Sequence, residues 1–124
     1  MTITKLQLEN SDFRPGEVLN HKRNEWTHIT ITYNVSGDRS RVDQNIDAAM
    51  ENDDDLVKVD CVNTTLYIQM KIRADEDESL EQQAEIKVRE KMHEIFVGDY
   101  GLGGSTVSVF CMVGNLRAFA YKFT

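Results

Sequence analysis

The stretch Trp26–Val35 has the sequence WTHITITYNV, in which apolar and polar side chains alternate one by one. Successive side chains on a β-strand point to opposite faces of the sheet, so this spacing predicts a strand with two different faces. The core-facing residues would be Ile29, Ile31, Tyr33 and Val35. The opposite face would carry Trp26, His28, Thr30 and Thr32.

Two amphipathic helices are predicted after this strand. The first begins near Ser40, a candidate N-cap, and ends at the acidic run Asp53-Asp54-Asp55. Its apolar stripe would consist of Val42, Ile46, Ala49 and Met50. The second begins near Ser79, with Gln82 completing a capping box, and ends at Gly98. Its stripe would consist of Leu80, Ala84, Val88, Met92, Ile95 and Phe96.

Two predicted hairpins supply most of the remaining strands. With Asn63-Thr64 as a two-residue turn, Cys61 would lie opposite Leu66, Val59 opposite Ile68 and Val57 opposite Met70. A second hairpin from Thr106 to Phe123 has a strong two-residue turn signal at Gly114-Asn115. That turn would place Phe110 opposite Phe119, Met112 opposite Arg117 and Ser108 opposite Tyr121.

The predicted order of elements indicates an α+β fold of ferredoxin-like βαββαβ plan, with two helices on one face of an antiparallel sheet. The second hairpin adds one C-terminal strand, and alternation at Thr4–Leu8 predicts a short N-terminal strand. Residues 1–124 would form one domain, with 1–24 as an N-terminal strand and loop arm and 25–124 as the core. The inward residues would be Ile29, Ile31, Tyr33, Val57, Val59, Ile68, Met70, Val107, Val109 and Val113.

In this plan the helices leave one face of the sheet open. Besides the polar face of the first strand, it would carry Lys58, Asp60, Tyr67, Gln69, Lys71, Arg73, Phe110, Phe119, Tyr121 and Phe123. An aromatic cluster of that size exceeds the exposed patch of most monomers, so another surface should cover it. A second copy is favoured because twofold self-association is the commonest oligomer. The alternative is the N-terminal arm, through Leu6, Leu8, Phe13 and Leu19.

Composition narrows the class of partner and the compartment. The net charge of −7 disfavours direct binding to nucleic acid or to an anionic membrane, because both need a basic surface. The sequence has no secretory h-region and no segment long and apolar enough to span a bilayer. Cys61 and Cys111 lie on predicted apolar strand faces, which indicates buried free thiols in a reducing, cytoplasmic setting.

No catalytic constellation, metal site or cofactor motif emerges from the sequence. His28-Ile29-Thr30 matches the H-x-T element of the 2H phosphoesterases, but that chemistry needs two such elements and the chain has one. Arg39 and Arg41 lie where a predicted strand meets a helix N-terminus, a place where an anion could bind. The acidic side chains at 75–78 could equally pair with these arginines.

The sequence leaves three functional hypotheses, and the first is not enzymatic. It is a small acidic inhibitor or accessory protein, of the kind that phages carry against their hosts, acting through protein contacts. The second is a dimeric α/β-barrel protein, in which paired sheets bind or transform a small molecule between His28, Tyr67, Arg73 and Arg117. The third is a nucleic-acid mimic. The acidic surface of the first and third hypotheses would be Asp53, Asp54, Asp55, Glu81 and Glu85.

Overall fold

A computed structural model describes residues 1–6, 25–59, 61–74, 78–114 and 117–124 of the chain. These residues form an α+β structure, with one six-stranded antiparallel sheet that does not close and two helices. The strands are β1 (Ile3–Leu6), β2 (Glu25–Ser36), β3 (Val57–Lys58), β4 (Thr65–Ile72), β5 (Thr106–Val113) and β6 (Arg117–Phe123). The helices are α1 (Ser40–Asn52) and α2 (Leu80–Phe96).

The strands lie in the order β1-β6-β5-β2-β4-β3, and every neighbouring pair is antiparallel. The α+β class predicted from the sequence is therefore confirmed. The order of the whole sheet does not match the ferredoxin-like plan, because β6 and β1 extend the sheet beyond β5. The predicted N-terminal strand is confirmed at Ile3–Leu6, while Leu8, Phe13, Leu19 and Asp60 lie outside the described residues.

Strand β2 has the two faces that its alternation predicts. Ile29, Ile31 and Tyr33 are buried against the helices, and Trp26, His28, Thr30 and Thr32 are exposed on the other face. The strand pairs with β4 on one side and with β5 on the other, so it lies near the middle of the sheet. The inward positions on β4 and β5 predicted from the sequence are also buried or packed against the core, at Ile68, Met70, Val107, Val109 and Val113.

Helix α2 follows its local sequence signals closely. Ser79 is the N-cap, and its side chain accepts a hydrogen bond from the backbone N–H of Gln82 at 3.3 Å. All six residues of the predicted apolar stripe are buried. Helix α1 buries Val42, Ile46 and Ala49 as predicted, but the N-cap role of Ser40 is wrong. Instead, the carboxylate of Asp38 accepts hydrogen bonds from the backbone N–H and the hydroxyl of Ser40, at 2.9 and 2.7 Å.

The predicted register of the β3–β4 hairpin is wrong by three residues. Val57 lies opposite Tyr67, and Lys58 lies opposite Leu66. The chain enters β3 with Leu56 buried, which turns Lys58 towards the helices and Val57 towards the open face, where its side chain is 45% exposed. The Lys58 Nζ accordingly lies 3.7 Å from the carboxylate of Asp47 in α1. Cys61 follows this short strand and is exposed, against prediction, whereas Cys111 is buried as predicted.

The β5–β6 register is wrong by one residue, which exchanges the two faces of β6. Val113 pairs with Arg117, so three residues of sequence separate the paired positions instead of the two that the predicted turn requires. Phe119 lies opposite Cys111 and Tyr121 opposite Val109, both on the helix side of the sheet. Phe119, Tyr121 and Phe123 are consequently buried in the core. The predicted aromatic cluster on the open face does not exist, because only Phe110 of that set lies there.

Candidate functional site

The face of the sheet opposite the helices, here called the open face, is covered by neither helix in the described part of the chain. Its most exposed apolar side chain is Trp26, at 51% of its reference area, followed by Val57 and Met112. Tyr67, Phe110, Ala118 and Leu6 are half-buried between them. A half-exposed tryptophan leaves roughly 75–125 Å² of contact area, and burying that area contributes about 2–3 kcal/mol.

The open face also differs in charge from the rest of the chain. Register places no Asp or Glu on it among the strand residues that the structure describes, in a chain of 21 acidic residues and net charge −7. Its charged residues within strands are Lys71 and Lys122. The helices on the other side carry Asp43, Asp47, Glu51, Glu81, Glu85, Glu90 and Glu94. A neutral or acidic surface could therefore approach the open face without carboxylate repulsion.

Side chains from β2 and β4 interact across the open face. The Nδ1 atom of His28 is hydrogen-bonded to the hydroxyl of Tyr67, and the two rings stack with their centroids 5.7 Å apart. Gln69 donates a hydrogen bond from Nε2 to the same hydroxyl at 3.0 Å. Trp26 and Lys71 form a cross-strand pair on the same face, and the ammonium of Lys71 lies 5.4 Å from the centre of the Trp26 ring. These contacts hold the exposed rings in defined positions, which suits recognition of a partner.

A shallow groove of about 250 Å³ crosses the open face near the sheet edge that carries β1. It is bordered by side chains from four strands, namely Leu6, Thr32, Asn34, Ser108, Phe110 and Ala120. The accessible lining of the groove is almost wholly apolar. It could accept one apolar side chain of a partner.

The site residues predicted from the sequence are divided between the two faces. Trp26, His28, Thr30, Tyr67 and Phe110 share the open face, and Arg73 is exposed just beyond the end of β4. Arg117, Phe119 and Tyr121 were predicted to join them and do not, because the β6 register turns them towards α2. The parity of apolar residues does not decide this from the sequence, since apolar residues stand at both odd- and even-numbered positions of β6.

A second polar cluster lies on the helix side, at the carboxylate of Glu85. Lys5 binds both of its oxygens at 3.0 Å, Tyr121 donates its hydroxyl proton at 2.9 Å, and the Arg117 Nε lies 3.2 Å away. Burial alone would raise the pKa of Glu85, but the hydrogen bonds from Lys5 and Tyr121 and the charge of Arg117 outweigh burial and lower it. The cluster joins β1, α2 and β6, and a groove of about 610 Å³ borders it.

Replacing Glu85 by glutamine should lower the free energy of unfolding by about 1–2 kcal/mol near pH 7, because three charged or hydroxyl partners lose the anion. The folded-state pKa of Glu85 is lowered, so its stabilisation is present above the unfolded-state pKa and lost as pH falls through the folded-state pKa. Urea unfolding of both proteins at neutral and acidic pH measures the difference. Glu90→Gln, on the same groove, is the control, and a difference that persists unchanged in acid would contradict the assignment.

The predicted acidic partner surface is partly neutralised within the chain. The carboxylate of Asp53 lies 2.8 Å from the Lys91 Nζ, and the hydrogen bond from this lysine outweighs burial and lowers the pKa of Asp53. Glu81 accepts a hydrogen bond from the Ser79 hydroxyl at 2.9 Å, and Glu85 belongs to the cluster described above. Asp54 and Asp55 are exposed. The five acidic residues therefore do not form one free surface.

The predicted anion site also has internal contacts. Arg39 lies 3.4 Å from the carboxylate of Asp43, and Arg41 donates a hydrogen bond to the backbone carbonyl of Tyr100 at 2.8 Å. Within the described ranges, no three His, Cys, Asp or Glu residues cluster as metal ligands would. Neither α1 nor α2, the helices of the described part of the chain, has the length and hydrophobicity needed to span a bilayer.

Comparison with known proteins adds no functional assignment to this geometry. No protein-family model, curated protein or solved structure matches the chain. The described residues define an α+β protein with a six-stranded antiparallel sheet, one face of which neither helix covers.

Proposed function

We propose that this chain is a non-enzymatic binding protein that recognises another protein through its open face. The single observation that carries the proposal is the combination of a half-exposed Trp26 with a face free of described carboxylates, in a strongly acidic chain. Interface centres are enriched in aromatic residues and depleted of charge, which is the composition found here. An accessory or inhibitor role is the function class that such a surface suits.

The proposal includes a finer description of the fold. Four neighbouring strands lie in the order β5-β2-β4-β3, and along the chain they alternate with the two helices as strand, helix, strand, strand, helix, strand. This supports a ferredoxin-like core to which β6 and β1 are added at one edge. In this arrangement the added strands widen the open face, because Leu6, Ala118 and Ala120 continue it beyond β5.

The chemistry of the open face also specifies the kind of partner. Exposed apolar side chains at Trp26, Val57 and Met112 would take up apolar side chains, and Lys71 and Lys122 would favour carboxylates around them. The partner surface is therefore apolar at its centre and neutral to acidic at its rim. A second copy of this chain meets the first requirement but not the second, since its own open face offers no described carboxylate.

The test is affinity capture from source cells with three forms of the chain, followed by affinity measurement on the captured protein. Trp26→Ala should weaken binding about tenfold or more, since the lost burial exceeds the 1.4 kcal/mol that corresponds to a factor of ten. The double variant Asp54→Lys, Asp55→Lys alters only the exposed acids and should bind as well as the unmodified chain. Binding lost in the aspartate variant and kept in Trp26→Ala would overturn the use of the open face.

A second candidate function is small-molecule binding between paired sheets, and the His28, Tyr67 and Gln69 cluster favours it. The cluster places two hydrogen-bonding rings and an amide together at the exposed centre of the sheet. Such a pocket would form only in a dimer, because the open face of one chain is too shallow there. Light scattering separates the candidates: a monomer at high concentration would exclude the paired-sheet pocket and leave the protein-binding proposal intact. The third hypothesis, a nucleic-acid mimic, is weakened because the carboxylates of Asp53 and Glu85 are paired with lysines of the same chain.

A further inference from the structure

Strand β1 forms one edge of the sheet, and no described strand pairs with its outer side. Thr2 and Thr124 exchange two backbone hydrogen bonds, at 2.6 and 2.9 Å. Hydrogen-bonded and non-hydrogen-bonded pairs alternate along an antiparallel ladder, so Thr4 also directs its N–H and C=O towards β6. Ile3 and Lys5 therefore direct their backbone N–H and C=O groups away from β6. Such an edge is a template for a further strand.

The side chains of the same two residues line the groove of about 610 Å³ between β1 and α2. Ile3 lies opposite Phe123 and Lys5 opposite Tyr121, so both side chains are on the helix side of the sheet. Ile3 is an apolar side chain and is 39% exposed there. Directly opposed residues of an antiparallel pair have their side chains on the same face. A strand paired with β1 would therefore place apolar or polar side chains beside Ile3 in this groove.

The charge of Lys5 gives this edge little protection. Native proteins often place a lysine on an edge strand, where its charge opposes pairing with another chain. Here the Lys5 Nζ contacts both carboxylate oxygens of Glu85 at 3.0 Å, so its charge is balanced within the chain. The other edge of the sheet is β3, which has only the two residues Val57 and Lys58. Strand β1 is therefore the edge that offers more backbone groups to a further strand.

The α2 wall of the groove carries both signs of charge. Arg89 and Glu90 are successive lining residues, and neither forms an ion pair within the described part of the chain. The Arg89 guanidinium lies 5.9 Å from the centre of the Tyr121 ring. A twofold axis at the β1 edge would set this wall opposite its own copy, running in the reverse direction. The two walls then offer each other opposite charges, so the edges of two copies can meet despite a net charge of −7 on each chain.

We propose that two copies of this chain pair through β1, antiparallel and about a twofold axis, so that their sheets become continuous. With the axis at Ile3, this residue lies opposite the partner's Ile3, and Lys5 lies opposite the partner's Met1. The outward N–H and C=O groups of Ile3 and Lys5 are then paired, and no two lysines are opposed. A contact between β1 of one copy and β3 of the next would not close into a dimer and would use the shorter edge.

The pairing through β1 leaves the open face of each copy uncovered. The twofold axis of an antiparallel strand pair is perpendicular to the sheet, so the two open faces lie on the same side of the dimer. Two copies of Trp26 would then be available to one partner surface, which raises the effective concentration of the second contact. The proposal itself rests on the β1 edge and does not depend on recognition through the open face.

The first test is analytical ultracentrifugation of the full chain, without an N-terminal tag, over a wide range of concentration. We expect a monomer–dimer equilibrium in which the dimer predominates at about 1 mM chain, because a small interface binds weakly. Ile3→Pro removes one outward N–H donor and keeps the bonds between β1 and β6, so it should weaken the dimer about tenfold or more. Trp26→Ala, on the open face, is the control and should leave the dimer unchanged.

Two results of the ultracentrifugation would overturn the proposal. One is a monomer at about 1 mM chain, which would leave recognition of another protein through the open face intact. The other is a dimer that Trp26→Ala weakens and Ile3→Pro does not, because the open faces would then form the interface.

Amide hydrogen exchange of the unmodified chain, resolved by NMR, tests the pairing at single residues and needs no variant to fold. At low concentration the amide of Thr4 should be protected by β6, whereas those of Ile3 and Lys5 should exchange rapidly. Raising the concentration until the dimer predominates should slow exchange at Ile3 and Lys5 several-fold and change Thr4 much less. A dimer in which exchange at Ile3 and Lys5 stays as fast as in the monomer would place the interface elsewhere and refute the pairing through β1.

Discussion

Replacing Phe119 by alanine should lower the free energy of unfolding by about 3–5 kcal/mol, the usual cost of deleting a buried aromatic ring. Phe119 is 2% exposed, lies opposite Cys111 on the helix side and contacts the Tyr121 ring edge-on, with centroids 5.8 Å apart. No neighbour can fill the space of the lost ring without moving the sheet or α2. Urea unfolding, with the slope checked for two-state behaviour, measures the change.

The control is the same substitution at Phe110, which lies on the open face of the neighbouring strand and is half-buried. Phe110→Ala should cost about 1 kcal/mol, since a partly exposed side chain loses less transfer energy and leaves no closed cavity. The pair therefore tests the β5–β6 register directly. Equal losses, or a larger loss at Phe110, would support the two-residue turn at Gly114-Asn115 and reverse the two faces of β6.

Replacing Asn45 by alanine should lower the free energy of unfolding by about 2–4 kcal/mol. The backbone carbonyls of Phe96 and Gly101 both lose their donor, and each unsatisfied buried carbonyl costs about 1–3 kcal/mol. The substitution also removes the cost of burying the Asn45 Oδ1, which has no partner among the described residues. The net loss of stability is therefore smaller than the summed cost of the two unsatisfied carbonyls. Thermal and urea unfolding of the variant measure it.

Gln44→Ala is the matched control for Asn45, because it changes an exposed amide one position earlier in the same helix. It should alter stability by no more than about 0.5 kcal/mol. The comparison separates the hydrogen bonds of Asn45 from the helix propensity of alanine. A loss below about 1 kcal/mol at Asn45 would mean that the loop after α2 finds other donors, and that the amide does not hold this loop to α1.

Local signals explain which elements were predictable. The capping hydroxyl of Ser79, the stripe from Leu80 to Phe96 and the stop at Gly98 all act within one or two helical turns. The alternation in β2 is likewise a property of adjacent residues, and its apolar side chains share one face, which is the buried one. Such features can be predicted because helix or strand propensity, capping and hydrophobic pattern agree at each position.

The pairing of strands was not predictable in the same way. At β6, apolar residues occur at both parities, with Phe119 and Tyr121 alternating with Ala118 and Ala120, so the local pattern permits either face inwards. The register that buries the three aromatic rings against α2 gains more apolar area than the alternative, although it needs a longer connection. At β3, burial of Leu56 and the ion pair between Asp53 and Lys91 set the entry of the strand.

The candidate sites show the same division. Alternation alone places Trp26, His28 and Thr30 on one face of β2. The pairing of β2 with β4 then places Tyr67 on the same face. The absence of Arg117, Phe119 and Tyr121 from that face follows only from register. The sequence contains no sign that Asn45 would hold a loop 51 and 56 positions away and leave one oxygen without a donor.

By itself, the sequence determined the α+β class, both helices with their buried stripes, and the polar and apolar faces of β2. The tertiary structure alone decided which way β3 and β6 face, and hence that the open face has one exposed tryptophan instead of an aromatic cluster. The physical reason is the distance along the chain over which each interaction acts. Spacing and caps act between neighbours, whereas register minimises exposed apolar area over segments that meet only when the whole chain is folded.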